Sequence, residues 1–345
     1  MTRLRLRRGT VTSVDEPGRA ARITVSVDGE ERPAVAFTAM TGVTEVGDEV
    51  IVNTSARDLG LGSGGFDVMH VNLTRGLDGE GEPGAHVMKL NYASLQHAVH
   101  PVEERSPRIG GKLGPVAVVA LHGQLPCVAF AAAAAAPRAR IGYVQTAGGA
   151  LPGAHSRVVS ELRERGLLAG HVTAGPAFDG EEEAITVAGG LHAGLAALGW
   201  DAAIAGPGPG ILGSSTALGH GGLAALDSAH AALALGCRTL IVPRMSSGDP
   251  RARHRGLSHH SETVLRLLLR PAAVAVPAPA TPEAEAARSA IPGGHEIVEA
   301  EVDLDGYRSS GLPARTMGRE LDQDVLFFAA ALAGGAALGG ELRGT

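Results

Sequence analysis

From residue 115 onward, short apolar segments alternate with helical segments along the chain. The apolar segments are PVAVVAL (115–121), RIGYVQT (140–146), HVTAG (171–175), DAAIAG (201–206), TLIVP (239–243) and AAVAVP (272–277). This alternation is typical of βαβ units, whose parallel strands are buried on both faces and read as continuous apolar runs. We therefore predict an α/β domain with a doubly wound (Rossmann-like), mostly parallel sheet of five or six strands. EIVEAEV (296–302) is expected to add an edge strand, and residues 317–338 a long closing helix.

The first 75 residues lack this alternation and contain five short β-rich segments separated by turn residues. Asp28-Gly29 lies between two of these segments, and such a pair favours a type I′ hairpin because that turn needs positive φ angles. Short strands at this spacing predict a small β-barrel or β-sandwich, followed by a strand within HVMKLNYASLQ (86–96). We place a mostly-β domain at residues 1–110 and an α/β ligand-binding domain at 111–345. Limited proteolysis is expected to cut first at 75–84 or in the linker at 106–114.

The composition excludes several classes of protein. A net charge of −6 argues against a nucleic-acid binder, which would carry a basic face. No apolar segment reaches the length of a membrane span and no secretory signal follows the basic start, so we expect no membrane partner and a cytoplasmic location. Cys127 and Cys237 stand apart in apolar surroundings, which favours buried free thiols. Aromatic residues make up only 3% of a chain with 49 glycines, so helices and sheet should meet closely at glycines. The apolar 317–338 helix is expected either in the core or in a homo-oligomer interface.

Polar residues follow each predicted strand of the second domain. In an open parallel sheet these loops lie along the carboxyl edge, where ligands bind at the switch point of strand order. We therefore predict a ligand site at this edge. The candidate binding residues in these loops are His122, Gly208, Gly210, Gly213, Ser215, Thr216, Arg244 and Asp249.

The segment RHRGLSHHSETVL, residues 253–265, is dense in titratable groups at a predicted helix start. If the segment before the helix is extended, Arg251, Arg253 and Arg255 alternate and point to one side. Together with a helix N-terminus capped by Ser258 or Ser261, they predict an anion site. His254, His259 and His260 are the candidates for proton transfer. The alternative is that the arginines form ion pairs with Asp249, Asp179 or the Glu181–Glu183 segment.

Three further interpretations carry less weight. A metal site would use His254, His259, His260 and Asp249, with His122 or His220, but adjacent helical residues point about 100° apart, so His259 and His260 are not expected to chelate together. We therefore predict no metal and no cofactor. Gly208, Gly210 and Gly213 match GxGxxG, yet Pro207 and Pro209 offer no N–H to a phosphate. Lys89, in the segment between the two domains, is a further candidate for ligand contact or a solvated linker residue.

Several segments resemble one known family. RMSSGDPRARHRGLSHHSETVL (244–265) resembles the signature of a bacterial family catalogued as domain of unknown function 3866, and GPGPGILGSSTALGHGG (206–222), TAGPAFDGEEEA (173–184), MKLNY (88–92) and GDEVIVNTSARDLGLGSGGF (47–66) are similar to its other segments. Two loops depart from the family pattern, with Ser214-Ser215-Thr216 in place of Gly-Thr-Gly-Thr-like residues and Asp179-Gly180 in place of Gly-Gly-Asp. The resemblance implies a recurring site in these loops and no particular activity.

The sequence thus predicts an enzyme that acts on a small anionic or phosphorylated substrate at the carboxyl edge. A non-catalytic small-ligand sensor and a metal-dependent hydrolase are the alternatives. No G-x-S-x-G elbow occurs, which disfavours a serine hydrolase of the usual type.

Overall fold

The computed structural model describes residues 4–60, 65–106, 108–278 and 281–343. The chain divides into two compact units, Met1–His100 and Pro101–Thr345. The predicted boundary, after residue 110, lies ten residues further along. Residues just after 100 belong to the second unit because Val102 lies in its core and Glu103 Oε1 accepts hydrogen bonds from the backbone N–H groups of Ile185 and Thr186. Pro107, in the predicted linker, lies outside the described residues.

The first unit contains a closed five-stranded barrel with the strand order β1-β2-β3-β5-β4. Its elements are β1 (Leu6–Glu16), β2 (Ala20–Val27), β3 (Glu30–Phe37), α1 (Thr38–Thr41), β4 (Glu49–Asn53), α2 (Ser55–Asp58) and β5 (Asp67–Asn72). Valine, isoleucine and alanine side chains fill its interior. Val27 pairs with Glu30 across a two-residue turn, in which Asp28 and Gly29 have φ angles of 52° and 84°. The predicted small barrel and its hairpin are therefore confirmed.

The segment after the barrel is less regular than predicted. Only β6 (Val87–Lys89) of the expected strand at 86–96 forms, and it pairs with β7 (His97–Val99). The strand ends there because Leu90 and Tyr92 have positive φ angles of 49° and 58°, which turn the chain back.

The second unit contains an eight-stranded sheet in which every pairing is parallel, in the order β11-β10-β9-β12-β8-β13-β16-β17. The strands of this unit are β8 (Val116–Val119), β9 (Ile141–Thr146), β10 (Gly170–Ala174), β11 (Glu182–Ala184), β12 (Ala202–Pro207), β13 (Thr239–Val242), β14 (Met245–Ser246), β15 (Gly256–Leu257), β16 (Ala273–Ala278), β17 (Glu296–Glu301), β18 (Arg315–Thr316) and β19 (Arg319–Glu320). The doubly wound α/β fold and the edge strand at EIVEAEV are confirmed. The strand count was too low, and β11 was missed because three residues of an acidic segment give no apolar run.

Helices cover both faces of this sheet. They are α3 (Leu125–Ala135), α4 (Arg157–Glu164), α5 (Val187–Ala196), α6 (Ala224–Ala234), α7 (His259–Leu267), α8 (Pro282–Ser289), α9 (Leu304–Ser309) and α10 (Val325–Arg343). Side chains of α3, α4 and α10 share one buried cluster with the sheet, and those of α5, α6 and α7 share another. The neighbouring strands β8 and β12 are therefore followed by helices on opposite faces. Their carboxyl ends form the switch point where an open sheet of this kind leaves a crevice.

Glycines allow the close contacts that the composition predicts. Trp200 packs against β9, where a Cβ added to Gly142 would lie 2.0 Å from the indole ring. A Cβ at Gly335 of α10 would lie 2.3 Å from the backbone oxygen of Val128 in α3. Small residues thus let α10 and α3 approach each other more closely than side chains with a Cβ permit.

The closing helix begins eight residues later than predicted. The hairpin of β18 and β19 occupies its expected first turn, because Met317 and Gly318 adopt φ angles of 45° and 81° that a helix cannot contain. α10 is long and apolar enough to cross a membrane, yet 72% of its apolar window is buried inside the protein. It is a core helix of the second unit, so its apolar surface is accounted for without a second copy of the chain.

Candidate functional site

Four histidine rings from two loops meet at the carboxyl edge of the sheet. His220 ends the loop after β12, and His254, His259 and His260 lie after β13. The ring centroids of His220 and His260 are 3.8 Å apart, and those of His220 and His259 are 5.4 Å apart. The His254 ring lies 4.9 Å from both His259 and His260. The structure thus brings the strand-end loops of β12 and β13 together at these rings.

The loop that carries His220 folds back on itself. Gly213 forms an antiparallel bridge with His220, and the Gly221 N–H donates to the Leu212 oxygen at 2.7 Å. Because this hairpin separates the glycines from α6, which begins at Ala224, the GxGxxG pattern does not lead directly into a helix N-terminus. This placement removes the geometry that a dinucleotide site would need.

Ser258 fixes the start of α7. Its Oγ accepts a hydrogen bond from the His260 N–H and lies 2.7 Å from His254 Nδ1. The Ser258 N–H donates to the Arg244 oxygen at 2.9 Å, and the Arg244 N–H donates to Ser261 Oγ at 2.7 Å. The predicted N-cap is confirmed, and the end of β13 is held against the first turn of α7 on both sides of His259 and His260.

The argument that adjacent helical positions keep the His259 and His260 rings too far apart to chelate together does not hold. They are the first two residues of α7, and their ring centroids are only 4.4 Å apart. His220 supplies the physical reason, since its ring comes from another loop and lies beside both rings. One nitrogen of each ring of His220, His259 and His260 lies within 4.8 Å of the other two, so the three rings form a group that could hold a metal ion after small side-chain rotations.

Buried nitrogens of these three rings lack hydrogen bonds. Nε2 of His259 and Nδ1 of His260 have no hydrogen-bond partner among the described residues, and neither ring nitrogen of His220 has one of good geometry, although the Ala217 backbone interacts with that ring. A buried polar atom without a partner costs about 1–3 kcal/mol. These nitrogens are therefore available to a bound group or to ordered water that supplies the missing interactions.

The four histidines are neutral at physiological pH. Burial is the first cause, and it lowers the pKa of His260 to about 2 and of His254 to about 3. His220 and then Arg244 add to the lowering at His260, and Arg244 and Arg251 add to it at His254, where Asp249 opposes them. Burial also lowers the pKa of His220 and of His259, followed by the His259 ring for His220 and by Arg253 for His259. Neutral imidazole is the form that binds a metal ion. The proton-transfer role of His254, His259 and His260 stays a prediction.

The predicted row of arginines does not form. Residues 252–254 make one turn of 3₁₀ helix, so Arg251, Arg253 and Arg255 do not alternate along an extended segment. The turn forms because the Arg251 backbone N–H donates to Asp249 Oδ1. The Arg251 guanidinium also donates to the same carboxylate, with 2.8 Å between Nη2 and Oδ2. The Arg255 Nε donates to the Asp249 backbone oxygen at 3.0 Å. The ion-pair alternative is therefore correct for Arg251.

Asp249 is the centre of a buried charge cluster. Its carboxylate is fully buried and contacts the guanidinium groups of Arg244, Arg251 and Arg319 at 2.9, 2.8 and 3.3 Å. Burial alone would raise the pKa of Asp249, but the hydrogen bonds and charges of Arg251 and Arg244 outweigh it and hold the pKa below its ordinary value. Asp249 is therefore a counter-ion and is not part of the histidine cluster.

His122 belongs to a separate buried network. Its Nε2 lies 2.7 Å from Ser156 Oγ, and its Nδ1 lies 3.2 Å from the Pro207 oxygen, which can only accept. Nδ1 therefore carries the proton, and Ser156 donates to Nε2 while its Oγ caps α4 by accepting from the Val159 N–H. The Tyr143 hydroxyl donates to the backbone oxygens of Gly206 and Pro207 at the end of β12. Every polar atom in this network has a role in the fold.

Of the remaining predicted residues, Gly213 forms the backbone bridge to His220 described above. Ser215 and Thr216 are exposed, and the Thr216 hydroxyl bonds to Ser214. Gly208 packs against the loop after β9, where a Cβ would lie 2.3 Å from the Ala150 oxygen, and Gly210 has a φ of 71°. Lys89 is buried in the first unit. The ligand roles of these residues stay predictions.

His220 is the residue that sequence reasoning left out of the selected site. The signal for it was its place between a strand-end loop and the next helix, one residue before Gly221 and Gly222. A Cβ on Gly222 would lie 3.1 Å from His220 Nδ1 and 3.4 Å from His260 Nδ1, so the glycine leaves room beside both nitrogens.

A cavity of about 820 Å³ lies at the opposite edge of the sheet, where α7 and α8 lead into the next strands. His295 lies in its lining, and its nitrogens contact the Leu265 oxygen and the Ala272 N–H. Both nitrogens of His295 thus have hydrogen-bond partners in the fold, unlike several nitrogens of the histidine cluster at the carboxyl edge.

Comparison with known proteins identifies the family. The family model described as "Protein of unknown function (DUF3866)" matches residues 33–335, and the chain belongs to this family. None of the curated proteins matches the chain. Among solved structures, the crystal structure of YjeQ from Thermotoga maritima is similar at 10% identity, over 76% of this chain and 65% of that chain, with a TM-score of 0.15. The chain thus spans less than two thirds of the YjeQ chain, and so low a TM-score supports no conclusion about fold or function.

Proposed function

We propose that this protein is a metal-dependent hydrolase whose divalent transition metal, of the Zn²⁺ class, is held by His220, His259 and His260. One observation carries the proposal: ligand nitrogens of three neutral, largely buried imidazoles lie within 4.8 Å of one another, and buried nitrogens of each ring lack hydrogen bonds.

The donor set favours zinc or a related ion. Imidazole nitrogen suits Zn²⁺, Cu²⁺, Ni²⁺ and Fe²⁺, whereas Ca²⁺ and Mg²⁺ prefer oxygen ligands. The lowered pKa values of His254 and His260 mean that protons hardly compete for these rings at neutral pH. His254 touches the rings of His259 and His260, and its hydrogen bond to Ser258 orients it as a supporting group.

The number of ligands favours catalysis over a structural role. Structural zinc sites are closed by four protein ligands, whereas catalytic sites use three and leave a position for water. Zinc lowers the pKa of such a water to about 7, so a hydroxide nucleophile is available at neutral pH. Three neutral histidine ligands add no negative charge, so a bound divalent ion would keep its net charge of +2 and would polarise a substrate strongly.

Hydrolysis consumes only water and the substrate. The water oxygen forms a bond to the electrophilic carbon or phosphorus, and the leaving group departs with the electron pair of the broken bond. The proton released from water reaches the leaving group through solvent. The position of the rings at the carboxyl edge of the sheet fits an enzyme, since open α/β sheets bind their substrates at that edge.

Metal binding is the first test. Chelator-stripped protein should bind one Co²⁺ or Zn²⁺ per chain in calorimetry, and the Co²⁺ form should show the visible absorption of a tetrahedral nitrogen site. His220→Ala, His259→Ala and His260→Ala should each weaken binding by at least about tenfold, since one of three ligands is lost. His86→Ala, which changes an exposed histidine of the first unit, is the matched control and should bind like the wild type.

Hydrolysis is the second test. A panel of chromogenic carboxylic and phosphate esters should show turnover that a chelator abolishes and Zn²⁺ restores. If the protein binds metal tightly at these histidines but hydrolyses no ester, amide or phosphate in such a panel, the enzyme proposal is wrong and a ligand- or metal-sensing role takes its place. If no metal binds, the proposal fails at its first step.

A further inference from the structure

We propose that the substrate of this metal site is a phosphate monoester, whose dianionic phosphate binds between the metal position and the guanidinium groups of Arg244 and Arg253. This inference rests on the proposed function, because the metal supplies one of the three positive centres around the phosphate.

Arg244 provides a buried donor that the fold leaves unused. The residue is only 1% exposed, and its Nε has no hydrogen-bond partner among the described residues. Its terminal nitrogen is engaged by Asp249, so Nε is the group that a ligand would satisfy. The backbone of Arg244 is bonded to Ser258 and Ser261, which flank His259 and His260 in α7. The unused donor therefore belongs to the residue that holds the metal-binding helix in place.

Arg253 provides a second cation at the same ring. Its side chain is exposed and forms no ion pair or side-chain hydrogen bond within the parts of the chain that the structure describes. Arg253 directly precedes His254, whose ring centroid lies 4.9 Å from that of His259. In agreement with this position, the charges of Arg253 and then Arg244 are the largest influences that lower the pKa of His259 after burial. Both guanidinium groups thus act on the most exposed of the three ligand rings.

The charges around the site are not balanced. Asp249 and Asp324 are the fully buried carboxylates of this cluster, and they face the guanidinium groups of Arg244, Arg251 and Arg319. Burial lowers the pKa of Arg244 to about 10, which still leaves it charged at neutral pH. Arg253 adds a further positive charge, which Glu262 in the first turn of α7 offsets in part, the histidines are neutral, and a divalent metal adds two more. A bound anion with two charges offsets this excess better than a carboxylate with one.

The shape of phosphate fits three positive centres. A tetrahedral oxyanion can present separate oxygens to a metal and to two guanidinium groups, and arginine binds phosphate through directed, charge-assisted hydrogen bonds. In the reaction, the water oxygen bonds to phosphorus, the bond to the ester oxygen breaks, and the alcohol leaves with the electron pair and takes a proton. Inorganic phosphate is then a product, and it serves as a stable probe of the same subsite.

The test is phosphate binding to the metal-loaded protein. Inorganic phosphate should bind the Zn²⁺ form in calorimetry and should shift the visible spectrum of the Co²⁺ form. Arg253→Gln should weaken phosphate binding by about tenfold, the effect of losing one charge-assisted hydrogen bond, and should leave metal stoichiometry unchanged. Arg270→Gln removes the same charge from an exposed residue at the opposite edge of the sheet and should leave phosphate affinity within about twofold of the wild type. Acetate should bind more weakly than phosphate.

The outcomes separate this inference from the proposed function. If the protein binds metal but phosphate does not bind, or binds equally to Arg253→Gln, the phosphate subsite is wrong and the metal site stands. If no metal binds, the proposed function fails, and with it the three-centre site. Acetate binding as tight as phosphate would instead assign the subsite to carboxylates and overturn the phosphate assignment. Arg244→Lys, checked for an unchanged melting temperature, is the second variant and should also weaken phosphate binding while metal binding is retained.

Discussion

The imidazole rings of His220 and His260 lie stacked, with centroids 3.8 Å apart and ring planes inclined by 17°. One ring comes from the loop after β12 and the other from the first turn of α7, so the contact joins two segments that are 40 residues apart in the chain. Two buried neutral rings whose nitrogens lack hydrogen bonds lower the stability of the metal-free protein, and a bound metal ion would satisfy these nitrogens. This contact is the structural basis of the proposed metal centre.

Gly222→Ala should weaken metal binding without a change at any ligand. The added methyl would lie 3.1 and 3.4 Å from Nδ1 of His220 and of His260, which crowds the space beside both nitrogens. Metal titration of the two proteins by calorimetry measures the effect, and a loss of about tenfold or more is expected. Gly340→Ala adds a methyl in open space at the end of α10 and should bind metal normally. Equal metal affinity in Gly222→Ala and wild type would argue against the use of these two nitrogens.

Ser258→Ala should lower both stability and metal affinity. The variant loses the N-cap of α7, which costs about 0.5–2 kcal/mol, and the contact that orients His254 beside the ligand rings. Loss of such an outer contact typically weakens metal binding by about 10–100-fold. Thr186→Ala removes the N-cap of α5 and should cost similar stability, measured by urea unfolding, with no change in metal affinity. Equal metal affinity in the two variants would show that Ser258 acts only as a cap.

The metal-free protein should lose stability as the pH falls below about 6.5. In the folded state burial lowers the pKa of His254 to about 3 and of His260 to about 2, whereas the unfolded chain takes up these protons near the ordinary value of 6.5. The unfolded state therefore binds more protons between these values, so the stability from the neutral rings is full above pH 6.5 and is lost progressively on acidification. Urea unfolding at pH 7.5, 6.5 and 5.5 measures this dependence. His260→Gln should show a shallower decline, and a slope identical to that of the wild type would contradict the buried neutral state of His260.

Asp249→Asn should destabilise the protein strongly. The substitution leaves the buried Arg244 guanidinium without its counter-ion, and removal of one partner of a buried pair costs about 3–5 kcal/mol. The free energy of unfolding in urea is the measurement. Glu285→Gln, which breaks an exposed pair with Arg288, serves as the control and should cost less than about 1 kcal/mol. A small effect of Asp249→Asn would mean that water reaches Arg244.

Gly335→Ala should destabilise the second unit through overpacking. Its Cβ would lie 2.3 Å from the Val128 oxygen and 2.8 Å from the Ala131 side chain, so α10 and α3 would have to move apart. Such overpacking costs about 1–3 kcal/mol. Gly340→Ala in the same helix meets open space and should instead stabilise by about 0.5–1 kcal/mol, because alanine favours a helix. Thermal unfolding of both variants tests the close contact, and a stabilised Gly335→Ala would refute it.

Most of the fold followed from local patterns in the sequence. The apolar runs at 116–119, 141–146 and 239–242 are strands because continuous apolar segments suit a sheet that is covered on both faces. Asp28-Gly29 predicted its hairpin because few residue pairs tolerate two positive φ angles. The short strand β11 was not predicted because its segment has no run or alternation of apolar residues. The hairpin around Met317 was not predicted because Met317-Gly318 is not a usual turn sequence.

The sequence by itself determined that a polar site lies at the carboxyl edge, because chain order places every strand-end loop on that side of a parallel sheet. It also placed a helix start at this segment with Ser258 or Ser261 as its cap, and the structure shows that Ser258 is the cap. Only the tertiary structure decided what the polar residues do. Asp249 draws Arg251 into an ion pair and bends the arginine segment, while a loop from β12 carries His220 to the rings of His259 and His260. Contacts between distant segments depend on the packing of the whole sheet, and the local spacing that suggests an anion site at residues 251–255 contains no information about a third histidine 39 residues earlier in the chain.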